Sequence, residues 1–217
     1  MPFPDELITP EGQNKLIFDE LSCDKEALRK EHEELSSCLT CEQRSVYDEI
    51  MIAVSRGRGG VFFVYGYGDM GKTYVWKTLC AAIRSKGEIV LPVASSGIAS
   101  LLLPRGRTAH SRFGIPLNVS ENSTCVGIKP GSDLVALLMK TKLIIWDEAP
   151  MMHKYCFEAL DRSLKDIMQS MDPSNKYKPF GGLVVVFGGD FRHILPVIHK
   201  ESRQDINLKF FLSMEFM

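Results

Sequence analysis

"VYGYGDMGKTYVW", running from Val64 to Trp76, fits the frame G-x-x-x-x-G-K-[ST] with Gly66, Gly71, Lys72 and Thr73. That frame marks a loop whose successive backbone N–H groups face an anion, with the N-terminus of the following helix adding its dipole. The context agrees: "VFFVYG" before the loop reads as a strand, and "KTYVWKTLCAAIRSK" after it has helical period. In such a loop Lys72 reaches the β- and γ-phosphates of a nucleotide, and the Thr73 hydroxyl ligates Mg²⁺. The filling is unusual, because Asp69 and Met70 place an acid and a bulky thioether inside the frame.

The same alternation continues outward from the loop. "EIVLPVAS", "KLIIWDE" and "LVVVFGGD" are continuous apolar runs, which predicts strands buried on both faces, as "VFFVYG" does too. "GIASLLL" and "HKYCFEALDRSLKDIMQS" between them are helical in period. Strand and helix in repeated succession predict an α/β fold with a parallel sheet flanked by helices. Upstream, residues 12–36 carry Leu16, Leu21, Leu28 and Leu35 among dense mixed charge. They read as one helix with a thin apolar stripe packed as an arm, or equally as a partly disordered lead-in. A second helix is expected at 41–56, opened by Thr40 as N-cap with Gln43 as capping-box partner and closed by "RGRGG". The Pro-, Gly- and Ser-rich segment 104–135 is too long for an ordinary connection, which points to function.

Composition narrows the class without naming it. The 217 residues suit one domain with an N-terminal extension; 45% are apolar and 24% charged. No apolar run approaches the ~18 residues needed to span a bilayer, and the N-terminus lacks the order of a secretory signal, so a soluble protein with no membrane partner is expected. A formal net charge of −1 argues against coating nucleic acid by bulk charge but leaves room for a local basic strip. The cysteines, Cys23, Cys38, Cys41, Cys80, Cys125 and Cys156, are expected as reduced thiols. Cys38 and Cys41 form a C-x-x-C without the second ligand pair that zinc would need.

A phosphate loop requires an acid at the end of another strand, and "LIIWDE" supplies two. Asp147 would hold Mg²⁺ through water, and Glu148 would orient and deprotonate an attacking water. That pair favours hydrolysis, whereas a small-molecule kinase must keep water from the γ-phosphate. "GGDFRHILP" places Asp190, Arg192 and His193 at a further strand end, where open α/β sheets bind ligands. In "PRGRTAHSRF", Arg105, Arg107, His110 and Arg112 could track phosphates, and Phe113 offers a face for stacking. An incidental basic surface loop is the plainer alternative.

In order and spacing, "LTCEQRSVYDEI", "VYGYGDMGKTYVWKTL", "ASSGIASLLLPRGRTAHSRFGIPL", "KLIIWDEAPM" and "GGDFRHILPVI" resemble the PIF-type (petite integration frequency) DNA helicases of superfamily one. The charged lead-in and "SRQDI" are similar in particular to the Helitron-related branch. The resemblance covers about residues 15–206. It implies a RecA-like motor domain at 39–206, a helical extension at 1–38 and a divergent tail at 207–217. It also implies ATP and Mg²⁺ as cofactors and 5′-to-3′ unwinding of DNA in repair, recombination and telomere maintenance. Single-stranded DNA or a duplex junction would be the partner, and the nucleus the compartment. By the same resemblance Gln43 reads the adenine edge, and Gly66, Gly68, Asp69, Met70, Gly71, Lys72 and Thr73 form the phosphate loop. Asp190 and His193 fall in the segment that senses the γ-phosphate, so Lys72, Glu148 and His193 are the catalytic candidates. Thr108, Ala109, His110, Ser111, Arg112 and Phe113 would lie along single-stranded DNA, beside Arg105 and Arg107.

Three departures from the family pattern stand out. Asp69-Met70 replaces the usual Gly-Thr, and a carboxylate ~5 Å from a phosphate charge costs about 3 kcal/mol at an effective dielectric of 20, some hundredfold in affinity. A side chain turned to solvent would escape most of that. His193 stands where the family has glutamine, exchanging a fixed-charge amide for an imidazole that titrates near neutral pH. The second RecA-like domain that completes the family's ATP site is not among these residues. A helicase motor domain is therefore the expected function, and a non-hydrolysing remnant that binds nucleic acid or a partner is the alternative.

Overall fold

The structure, a computed structural model, describes residues 14–66 and 71–190. The lead-in forms two helices rather than the single one expected, α1 (Lys15–Leu21) and α2 (Lys25–Ser37). The break has a local cause: the Asp24 carboxylate accepts from the N–H groups of Glu26 and Ala27, which starts a new helix there. Helix α3 (Cys41–Arg56) follows as read, with the complete Thr40–Gln43 capping box and Gly57 closing it in left-handed backbone.

The alternating part begins with β1 (Gly60–Tyr65) and α4 (Lys72–Ser85). It continues with β2 (Ile89–Ala94), α5 (Gly97–Leu101), β3 (Arg107–Thr108), α6 (Ala109–Phe113) and α7 (Asp133–Lys140). Then come β4 (Thr141–Asp147), α8 (Lys154–Met168) and β5 (Val184–Gly189), with 3-10 turns at Ala149–Met151, Pro173–Tyr177 and Pro179–Gly182. All described strand pairs are parallel, in the order β1-β5-β4-β2-β3.

Successive residues of a strand point to opposite faces, and both faces of this sheet carry a core. Leu91, Val93, Ile144, Trp146, Val185 and Phe187 pack toward α7 and α8. Val90, Leu143, Ile145, Val184 and Val186 pack toward α3 and α4. This explains the unbroken apolar runs in β2, β4 and β5. Strand β1 departs from expectation: Gly60 to Val64 are half-buried and Tyr65 is exposed, because among the described strands it has a neighbour on one side alone. The segment 104–135, read as one long connection, holds β3, α6 and the start of α7, and it sends Ile115, Cys125 and Ile128 into the core. No helix of the described residues is long and apolar enough to cross a membrane.

Helix α2 lies along α4, where the Tyr74 hydroxyl donates to the Leu35 carbonyl at 2.9 Å. His32 of α2 shares a 2.8 Å hydrogen bond with the Tyr47 hydroxyl of α3. Burial, with Lys86 and Arg44 nearby, holds the His32 imidazole below its ordinary range, against the opposing pull of Glu33. A lowered pKa means the unfolded chain takes up the proton first. This contribution is therefore full above pH ~6.5, and stability falls as the pH drops from there toward the folded pKa. Melting curves at pH 7.5 and 5.5 should show a smaller acid-induced fall in Tm for His32→Gln than for the wild type; an equal fall would remove His32 as a cause.

Candidate functional site

Three contacts hold the described ends of the β1–α4 connection, Gly66 and Gly71–Lys72. The Gly66 N–H donates to the Gly189 carbonyl at 3.4 Å, tying the loop's start to the end of β5. Gly71 caps α4 with φ +72°. A Cβ at this position would stand 2.4 Å from Nε2 of Gln43, so glycine is needed twice over, for its backbone and for the amide resting on it. Gln43 is oriented by the capping box: its Oε1 accepts from the Thr40 N–H at 3.1 Å, which leaves Nε2 toward the loop. Lys72 is 6% exposed, and its ammonium donates to the Gly66 carbonyl at 2.5 Å, across the mouth of the loop. Thr73 is half-buried in the first turn of α4. Gly68, Asp69, Met70 and His193 lie outside the described residues.

Three acids follow at the C-terminal ends of β4 and β5. Asp147 ends β4 at 4% exposure, and its Oδ1 has no hydrogen-bond partner among the described residues. A buried carboxylate oxygen left in that state costs ~1–3 kcal/mol or more. A hard divalent cation is the ligand that such an oxygen suits, so Asp147 and the Thr73 hydroxyl fit a Mg²⁺ site by their chemistry. Glu148 adopts φ 52° and ψ 38°, a left-handed backbone that a non-glycine residue seldom takes. Strain of this kind gathers at functional sites. Asp190 follows β5 at 1% exposure, beside the loop that starts at Gly66.

The basic segment corrects the sequence reading. Phe113 is fully buried and packs 6.1 Å from the Trp146 ring, so it offers no stacking face. Arg112 is 6% exposed and bound to Glu20 at 2.7 Å, so it cannot track phosphates in this arrangement. Both follow from α6, a single turn that carries its last two residues inward. Arg105, with φ 58°, donates to the Asp19 and Glu20 carbonyls at 2.6 and 3.4 Å, and its guanidinium also meets the Cys23 sulfur. Arg105 is exposed but engaged in these contacts; the residues left without such a tie are Arg107 and Ser111, exposed, with Thr108 and His110 half-buried. Thr108 also caps α6 by accepting from the Ser111 N–H.

Sequence reasoning overlooked four residues that hold these pieces. Glu20 and Arg84 carry no motif signal, and their partners are distant in the chain. Ser95 accepts from Trp146 Nε1 at 3.1 Å, while its own N–H donates to the Asp147 carbonyl at 3.1 Å, bracing the acid-bearing turn. Trp146 itself was visible as part of a strand and not as the link between Phe113 and Asp147.

A parallel sheet whose edge strand enters a phosphate loop, with buried acids ending the next two strands, defines a RecA-like P-loop nucleotide-binding domain. The chain belongs to the PIF1-like helicase family, whose model matches residues 38–214. It is 32% identical to the ATP-dependent DNA helicase PIF4 of Trypanosoma brucei brucei over 152 residues, covering 68% of this chain and 18% of that protein. It is 29% identical to the ATP-dependent DNA helicase RRM3 of Saccharomyces cerevisiae, covering 79% of this chain and 22% of that protein. Among solved structures it is similar to the Pif1 helicase from Bacteroides in complex with ADP-AlF3 and single-stranded DNA. There the TM-score is 0.56 at 31% identity, with 79% of this chain and 36% of that chain covered. The chain thus spans about a fifth of the length of these curated relatives.

Proposed function

We propose that residues 39–206 form the first motor domain of an ATP-dependent, 5′-to-3′ DNA helicase acting in genome maintenance in the nucleus. The observation that carries this reading is the buried Asp147 carboxylate with its unpartnered oxygen, which shares the neighbourhood of Gly188 with Trp76 of the helix that Lys72 and Thr73 open. Gln43, poised against Gly71, would take the adenine edge; backbone N–H groups of the loop and Lys72 would hold the β- and γ-phosphates. Thr73 and Asp147 would hold Mg²⁺, which when bound neutralises charge on those phosphates. Glu148 would orient and deprotonate the attacking water, its left-handed backbone fixing the carboxylate at the strand end. Asp190 and His193 would respond to the γ-phosphate. Arg107, Thr108, His110 and Ser111 would meet single-stranded DNA. A nucleotide analogue and single-stranded DNA in the Bacteroides Pif1 complex support both halves of this reading.

Mg·ATP binding by titration calorimetry is the test, with Lys72→Ala as the comparison. Binding in the micromolar range that Lys72→Ala weakens at least tenfold is expected, the variant losing a buried ammonium aimed at the phosphates. No binding at millimolar ATP would sink the motor reading for this chain. The second reading would then stand, a non-hydrolysing module that binds nucleic acid or a partner. Asp69, Met70 and His193 are the residues that favour it. The isolated 217-residue chain, whose match covers 36% of the Bacteroides Pif1 chain, is expected to separate no DNA strands by itself.

A further inference from the structure

Helix α1 grips both ends of the β3–α6 segment. Before β3, the Arg105 guanidinium donates to the Asp19 and Glu20 carbonyls at the C-terminal end of α1, where the helix dipole favours a cation. After β3, at the end of α6, Arg112 meets the Glu20 carboxylate at 2.7 Å, with both side chains almost wholly buried. The same carboxylate faces Arg84 of α4 at 3.5 Å. Arg84 in turn donates to the Pro104 carbonyl at 3.1 Å, just ahead of Arg105. One acid from the N-terminal helix therefore sits among two buried arginines, one on the phosphate-loop helix and one on the segment read as nucleic-acid-binding.

Solvation alone does not account for such a cluster. Burying charge is costly unless the partners are fixed, and here one carboxylate serves two guanidinium groups whose Nε atoms lack partners of their own. Burial draws the Arg112 guanidinium below its ordinary range while Glu20 pulls it back up. Between the two grips lie Arg107, Thr108, His110 and Ser111, the residues that face outward. We infer that Glu20 is a positioning residue: acting through Arg112, it holds the β3–α6 segment in the geometry that binds single-stranded nucleic acid, so that α1 is a working part of that surface. The inference rests on the nucleic-acid reading given above.

The test uses the full chain and a fluorescein-labelled oligothymidylate, with anisotropy read at low salt and hydrogen exchange followed over residues 107–114. Glu20→Gln is expected to weaken oligonucleotide binding about tenfold and to speed exchange across that stretch. Arg112→Met should do much the same, and the double variant should be no worse than the poorer single one, because Glu20→Gln already removes the charge pair that Arg112→Met removes. Readings are taken well below each variant's melting temperature, so lower stability alone would leave affinity and local exchange unmoved. Unchanged affinity and exchange in Glu20→Gln, or additive losses in the double variant, would overturn the proposal. Absence of binding by the wild type would overturn the nucleic-acid reading and the proposed purpose of the brace together. Exchange at 107–114 would still decide whether Glu20 holds the segment.

Discussion

Trp146→Ala is expected to destabilise the fold by about 3–5 kcal/mol, the range for emptying a fully buried tryptophan site. Trp146 has no exposed surface, and its ring centroid lies 4.7 Å from Phe157, 6.0 Å from Phe187 and 6.1 Å from Phe113. The cavity would open among three rings fixed on separate elements, β5, α6 and α8, so collapse around it is hindered. For a chain of this size the loss corresponds to a fall in Tm of roughly 10 °C. Trp146→Phe keeps most of the packing and loses the hydrogen bond to Ser95, worth about 1 kcal/mol. Thermal melts of both variants check the pair, and a loss below ~1 kcal/mol in the alanine variant would show that the aromatic cluster contributes little.

Gly188→Val should also destabilise the fold, for a different reason. A Cβ at residue 188 would stand 2.5 Å from Cζ2 of Trp76 and 3.1 Å from Oδ1 of Asp147. Trp76 is wholly buried on α4 one turn beyond Lys72, so neither the ring nor the strand can yield without moving the phosphate-loop helix. Overpacking of this kind costs about 1–3 kcal/mol, and the upper end is expected where neither neighbour can yield. Any folded fraction should also bind Mg·ATP poorly, since the added side chain presses on the Asp147 carboxylate proposed to hold Mg²⁺. Urea unfolding and titration calorimetry on one preparation would read both effects. A variant with wild-type stability and nucleotide affinity would mean that Gly188 is not required for close approach.

The legible parts of this molecule were those with local signals. Continuous apolar runs predicted β2, β4 and β5, and the Thr40–Gln43 pair predicted the start of α3 to the residue. Burial on both faces failed for β1, because edge position depends on strand order, which a run of "VFFVYG" does not encode. The two-residue β3 is too short for any period to register. The α1–α2 break was written in Asp24 but hidden by helical composition on both sides. In the candidate site, Lys72, Thr73, Asp147 and Glu148 could be read from spacing. Arg112 and Phe113 could not be placed, since a basic strip in sequence looks the same whether its members face solvent or a distant Glu20. Long-range charge pairing leaves no mark on the local pattern.

The strand order has a consequence for how the chain acquires its site. Among the described strands β1 is made first and pairs with β5, made last: Gly60 lies beside Val184, with three strands and five α-helices between them in sequence. Closing so long a loop is entropically slow, and parallel pairing gives no hairpin shortcut. During synthesis β1 has no partner among the described strands until residues 184–189 leave the ribosome. The nucleotide site is thus among the last features of the described sheet to form, and a ligand that binds it would select sheets that have closed over those still assembling.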